Sequence, residues 1–128
     1  PEFYDGTNDE TPKFSYRGKT GYTTDHLLTT LERRPGSKII VMSYRNFATG
    51  EDGSIDVSRN EIKTANNYQT KIIIAQETGD VPPPYITFYH TSLPYYEKQI
   101  ALVEKVFEKD KSFGGIATHY LNAFLELK

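Results

Sequence analysis

The stretch Lys71-Ile72-Ile73-Ile74-Ala75-Gln76-Glu77-Thr78-Gly79 decides the fold. A short apolar run, led by three isoleucines, closes on a carboxylate and a Thr-Gly pair. Without alternation, such a run suits a strand buried on both faces, as in a parallel sheet covered by helices. Two more stretches repeat the design. Ile39-Ile40-Val41-Met42 runs into Ser43-Tyr44-Arg45-Asn46, and Phe113-Gly114-Gly115-Ile116-Ala117 runs into Thr118-His119-Tyr120. Ligands bind beyond the carboxyl ends of parallel strands. Tyr44, Arg45, Glu77, His119 and Tyr120 are therefore expected along one rim.

Between these strands the pattern is helical. Thr23 or Thr24 can cap a helix that carries Leu27, Leu28 and Leu31 on one face and stops at Pro35-Gly36. Ser58 and Glu61 have capping-box spacing for a second helix over about 56–69, with Ile62, Ala65 and Tyr68 or Gln69 buried. The connection from Gly79 to Ser92 is long and holds Pro82-Pro83-Pro84, which excludes a central strand. Ser92 then caps a third helix with Pro94 in its first turn and Tyr96, Ile100, Val103 and Phe107 at helical spacing. A short helix over 122–128 ends the chain. Residues 1–22 read as an irregular lead-in, rich in Gly, Thr, Asn, Asp and Lys, with Phe14-Ser15-Tyr16 as a short extended piece. Pro1-Glu2-Phe3 reads as a vector remnant, which puts the native sequence from about Tyr4 onward.

Composition bounds the function. The 128 residues suffice for one domain with a real core, and 37% hydrophobic with 25% charged residues describes a globular chain. A net charge of −2 gives no general electrostatic reason to bind nucleic acid or an anionic membrane. No apolar run approaches the ~20 residues of a membrane-spanning helix. The absence of cysteine excludes disulfides, thiolate metal sites and a cysteine nucleophile, and fits an extracellular or a reducing compartment equally. Ten tyrosines against no tryptophan fit either a cleft for sugars or ordinary amphipathic packing.

The order α-β-α-β-α-β-α from Thr23 predicts an α/β fold with a parallel sheet and right-handed crossovers. Two architectures share this order: the C-terminal part of a (β/α)8 barrel, and a small three-layer α/β domain. Three strands are few for an open sheet, since both edges stay unpaired. Counting alternately back from Glu77 and His119 gives Ile73 and Ala75, and Ala117 and Gly115; the small residues among them suit a crowded barrel interior, and an open sheet beneath a close helix accepts them too. The partial barrel is favoured.

The segments "VMSYRN" at 41–46, "IIIAQETG" at 72–79, "PPYITFYH" at 83–90 and "FGGIATHYL" at 113–121 resemble the C-terminal part of uncharacterised, glycosidase-like TIM-barrel proteins. The resemblance spans Lys38 to Leu121. "MSYRN" is also similar to the sixth-strand Met-x-Tyr-Asp/Asn signature of chitinase-like barrels, matched by Met42 and Tyr44, with Arg45 where an acid or amide is expected. That family's paired-acid motif has no match. The resemblance implies a carbohydrate ligand and strands six to eight of a barrel, and a half-barrel with open edges would tend to associate with a second copy.

Glu77 is the expected catalytic carboxylate, partly desolvated at its strand end and suited to a general acid or a nucleophile at an anomeric carbon. A structural pairing with Arg45 is the alternative. Glycoside hydrolysis usually needs two carboxylates. Only Glu77 stands at an obvious strand end, with Asp5, Asp52 and Asp80 in loops, so hydrolase activity is not expected of the chain alone. Tyr44, Arg45, His119, Tyr120 and Tyr89 are the expected substrate-binding residues. Tyr85, Phe88 and Tyr89 would either close over a ligand or pin the long loop to the body. His26, His90 and His119 form no spaced metal pair, and neither a metal nor a cofactor is expected. Gly18-Lys19-Thr20 resembles the end of a phosphate loop without its glycine spacing or preceding strand. The rival to a sugar site is a non-enzymatic α/β domain that binds protein through an exposed sheet edge or apolar face.

Overall fold

A computed structural model describes residues 12–128. Its elements are β1 (Phe14–Tyr16), β2 (Lys19–Gly21), α1 (Thr23–Leu31), β3 (Lys38–Met42), α2 (Ser54–Ala65), β4 (Lys71–Glu77), a 3-10 turn (Pro84–Ile86), α3 (Leu93–Phe107), β5 (Phe113–His119) and α4 (Leu121–Leu125). Strands β3, β4 and β5 form a parallel sheet in that order.

Sequential order has a direct consequence. Each β-α-β crossover is expected to be right-handed, so consecutive neighbours send their helices to the same side. The core agrees: Leu28 of α1, Ile55, Ile62 and Ala65 of α2, and Val103 and Phe107 of α3 gather on Val41, Ile72 and Ile74. Ile72 and Ile74 are fully buried, each worth roughly 1.5–3 kcal/mol. The alternate residues face away. Ile40 and Met42 are 62% and 63% exposed, so the expectation of strands buried on both faces fails for β3. Among the described residues the helices line one face only. A small α/β domain and a piece of a barrel wall both fit this arrangement.

Local chemistry explains the helix ends. Ser92 caps α3 as its sequence predicts, its hydroxyl accepting from the Tyr95 N–H at 3.3 Å. Tyr22, not Thr23 or Thr24, is the N-cap of α1, with Asp25 accepting from its backbone N–H at 2.9 Å. Helix α2 starts at Ser54, a turn before the expected cap, because Ser54 and Ile55 donate their N–H groups to Phe47 and Ala48. Ser58 and Glu61 are buried within the helix instead of capping it. The helix stops at Ala65, so Tyr68 packs on the core from the following turn. Leu27 is 46% exposed and leaves Leu28 to anchor α1. Part of the lead-in is not irregular: β1 and β2 form an antiparallel hairpin with Tyr16 opposite Lys19.

Strand β5 carries one extra residue. Phe113 pairs with Ile72 and Ile116 with Ile74, so three steps on β5 match two on β4. The bulge falls at Gly114-Gly115, and Gly115 holds φ +110°, which L side chains rarely adopt. It shifts the phase of the strand. Phe113 and Ile116 both reach the core, while Ala117 pairs with Ala75 and His119 with Glu77 on the other face.

Candidate functional site

Three parallel strands end at the same edge of the sheet, and their last open-face residues form a row: Tyr44 just past β3, Glu77 at the end of β4, His119 at the end of β5. The central member is buried, with Glu77 only 4% exposed. Its Oε1 accepts the backbone N–H groups of Thr78 at 2.9 Å and Gly79 at 2.6 Å. Its Oε2 lies 2.7 Å from His119 Nδ1. The partner of Glu77 is thus His119, not Arg45.

This geometry divides the labour. With both carboxylate oxygens engaged and the group buried, Glu77 is placed to orient an imidazole. His119 has a side chain 60% exposed. A carboxylate bonded at Nδ1 favours the tautomer with the proton there, and leaves Nε2 with a free lone pair. The Tyr44 ring stacks on the imidazole at 6.3 Å between centroids and 19° between planes. Burial and the Glu77 charge both hold the Tyr44 phenol above its ordinary pKa, so it stays a neutral donor. The Tyr120 ring meets His119 edge-on at 5.5 Å and is half exposed. Tyr120 also covers Gly79, where a Cβ would come within 2.7 Å of its Cε1. The His119–Tyr120 peptide is cis.

The loop behind β4 braces the site. The Thr78 hydroxyl donates to the carbonyls of His119 at 2.9 Å and Tyr120 at 3.2 Å. Thr87 donates to Gly79 O at 2.6 Å, and Phe88 N–H donates to Glu77 O at 2.9 Å. Phe88 is buried against Tyr96, with ring centroids 4.9 Å apart and planes at 81°. The aromatic loop is therefore pinned to the body through Phe88.

The remaining expected residues are spread out. Arg45 donates from Nη1 to Tyr44 O at 2.9 Å, and its guanidinium lies over the Tyr85 ring at 5.6 Å. Its buried Nε finds no acceptor among the described residues. The Tyr89 ring packs on His90 at 4.8 Å and lines a pocket with the C-terminal segment, so it does not join the row. Asp80 is exposed and lies 3.8 Å from His90, and Asp52 sits in the turn before α2. Neither supplies a second carboxylate beside Glu77, and Asp5 lies outside the described residues. Among the described residues no three candidate ligands converge on a metal position.

The sequence left one cluster unread. Ser43 and Ser58 share a 2.5 Å hydrogen bond beneath the sheet, and Gln76 donates to Ser54 at 3.0 Å. Ser54 in turn lies within 3.2–3.4 Å of the carbonyls of Ser43, Arg45 and Phe47. These groups fix the turn that carries Tyr44. The signal was available in the unusual serines on the core-facing stripe of α2. Compared with protein-family models, curated proteins and solved structures, the chain matches none.

Proposed function

We propose that this chain is a glycosidase-like partial barrel that binds carbohydrate at the strand-end row Tyr44, Glu77 and His119. The observation that carries the reading is the 2.7 Å contact between buried Glu77 and exposed His119, beneath a stacked tyrosine. An oriented imidazole with a free Nε2 accepts a hydrogen bond from a sugar hydroxyl, while the Tyr44 and Tyr120 phenols donate to ring substituents. The open face beneath this row carries Ala75 and Ala117, the small residues that a barrel interior requires. Hydrolysis needs a second carboxylate. With Glu77 turned toward His119 and neither Asp52 nor Asp80 beside it, the chain binds without cleaving.

The test is a titration of labelled protein with chito-oligosaccharide, the ligand class of the barrels it resembles, followed by amide and histidine shifts. Saturable changes at Tyr44, His119 and Tyr120, lost in Tyr44→Ala and His119→Ala variants that keep the circular dichroism of the parent, are expected. A folded parent that shows no saturable change would sink the sugar site.

A second reading has its own observation. Ile40 and Met42 stand exposed on the uncovered face, beside an apolar groove of about 310 Å³ between α1 and β3. Such a surface fits an interaction domain that associates through its sheet. Light scattering separates the two: a monomer at high concentration argues against association through this face.

A further inference from the structure

We infer that the pocket between the β1–β2 hairpin and α1 is a binding site for a phosphate group. It is independent of the strand-end row and does not rest on the carbohydrate reading. The cavity measures about 90 Å³ and is lined by Tyr16, Arg17, Lys19, His26, Thr29, Thr30 and Arg33. That volume is far below the ~300 Å³ at which pockets hold a whole drug-sized ligand. It suits one compact polyoxygen group.

The chain builds this basic concentration deliberately at two places. On α1, His26, Thr29 and Thr30 follow the i, i+3, i+4 spacing that puts side chains on one face, and Arg33 extends the row into the turn after the helix. Opposite them, the hairpin turns at Arg17-Gly18 with φ +52° and +78°, the two positive angles of a type I′ turn. Asn, Asp or Gly is the usual choice at the first of these positions, since a larger side chain strains there. Arginine therefore breaks the local rule, and a residue that breaks its local rule points to a role other than folding.

The hairpin is held against the helix rather than loose. His26 Nε2 donates to Phe14 O at 2.9 Å, and the Phe14 and Tyr16 rings pack on the imidazole at 4.5 and 5.8 Å. This seats the hairpin backbone that carries Arg17 and Lys19 on α1, with the Arg17 guanidinium over the Tyr16 ring at 5.2 Å. Among the described residues no aspartate or glutamate lines the pocket, and none of Arg17, Lys19 and Arg33 makes an ion pair with a carboxylate. Three like charges on one small cavity repel each other until an anion neutralises them. The whole chain is acidic at −2, so the concentration is local and not a by-product of composition.

Phosphate is the matching chemistry. A tetrahedral dianion offers several acceptor oxygens, which the guanidinium forks and the ammonium meet with charge-assisted hydrogen bonds and the two threonine hydroxyls with neutral ones. The pocket runs along the C-terminal half of α1, where the helix dipole favours cations over anions. Binding must come from the side chains, so it is sensitive to single substitutions.

The experiment titrates isotope-labelled protein with inorganic phosphate and, in a second arm, with glucose 6-phosphate as an organic monoester. Sodium chloride at matched ionic strength is the control. Saturable amide shifts at Arg17 to Lys19 and at Thr29 and Thr30 are expected with phosphate and absent with chloride. Lys19→Gln and Arg33→Gln are each expected to raise Kd about tenfold, the effect of one lost charge-assisted hydrogen bond, and Lys109→Gln, outside the pocket, to leave it unchanged. Tighter binding of the monoester identifies the source as an esterified ligand, and equal or weaker binding identifies free phosphate. A linear or chloride-like response overturns the proposal, as does equal weakening by Lys109→Gln and Arg33→Gln.

Discussion

Replacing Gly115 with alanine tests whether the β5 bulge creates the Glu77–His119 contact. A Cβ built at Gly115 meets nothing within 4 Å, so crowding does not enter. What remains is the backbone: φ +110° lies in a region that L residues avoid, at about 1–3 kcal/mol. Alanine recovers about 0.4–1 kcal/mol by restricting the unfolded chain. The net loss is about 0–2.6 kcal/mol, centred near 1.3 kcal/mol, or roughly 5 °C in Tm at the centre for a domain of this size. Relief of the strain would remove the extra residue from the bulge and turn His119 toward the register of Thr78. Urea unfolding measures the stability change, and the histidine nitrogen shifts report whether Nδ1 still meets Glu77. Gly114→Ala is the comparison, because its Cβ would lie 2.8 Å from Ile73 Cδ1 and 3.0 Å from Lys71 Cβ, a steric rather than a conformational penalty. Unchanged stability together with an unchanged His119 environment in the Gly115 variant would refute the role assigned to the bulge.

Four further outcomes are expected. Glu77→Gln keeps the shape but replaces one oxygen by an amide NH₂, so nitrogen-15 spectra of neutral His119 should show a shift of the proton from Nδ1 to Nε2. Glu77→Ala should cost about 1–3 kcal/mol in urea, since the Gly79 N–H loses its acceptor while Thr78 retains the His119 carbonyl. Tyr44 and Tyr96 both have raised phenol pKa values through burial, so above pH ~10 the unfolded chain releases these protons first and stability must fall as pH rises. The slope of denaturant midpoint against pH should flatten in Tyr44→Phe and Tyr96→Phe, and an unaltered slope would contradict the shifts. Ile40→Ser with Met42→Ser should change monomer stability by no more than ~1 kcal/mol, because both side chains already face away from the core. A larger loss measured at a dilution where the chain is monomeric would mean that this face is covered.

The three parallel strands, the starts of α1 and α3, and the shared edge that holds Tyr44, Glu77 and His119 were legible in the sequence alone, whereas the β1–β2 hairpin was not. Hydrophobic period and turn residues are local quantities, and they carry that much. Ile72 and Ile74, Ser92 before Pro94, and the strand-end position of Glu77 all read directly. Tertiary structure decided the rest. The uncovered face follows from strand order, which no local pattern encodes, since Ile40 looks as core-like as Ile39. The partner of Glu77 depends on one extra residue in a neighbouring strand: without the Gly114-Gly115 bulge, parallel counting sets His119 opposite Thr78. Tyr89, an aromatic in the same loop as Phe88, went elsewhere because the loop folds back on Glu77 through Thr87 and Phe88. Likewise Arg17, Lys19 and Arg33 are scattered in the chain, and only the packing of a hairpin on a helix makes them one pocket. Sequence fixes what each segment can bury; register and docking fix which polar groups then meet.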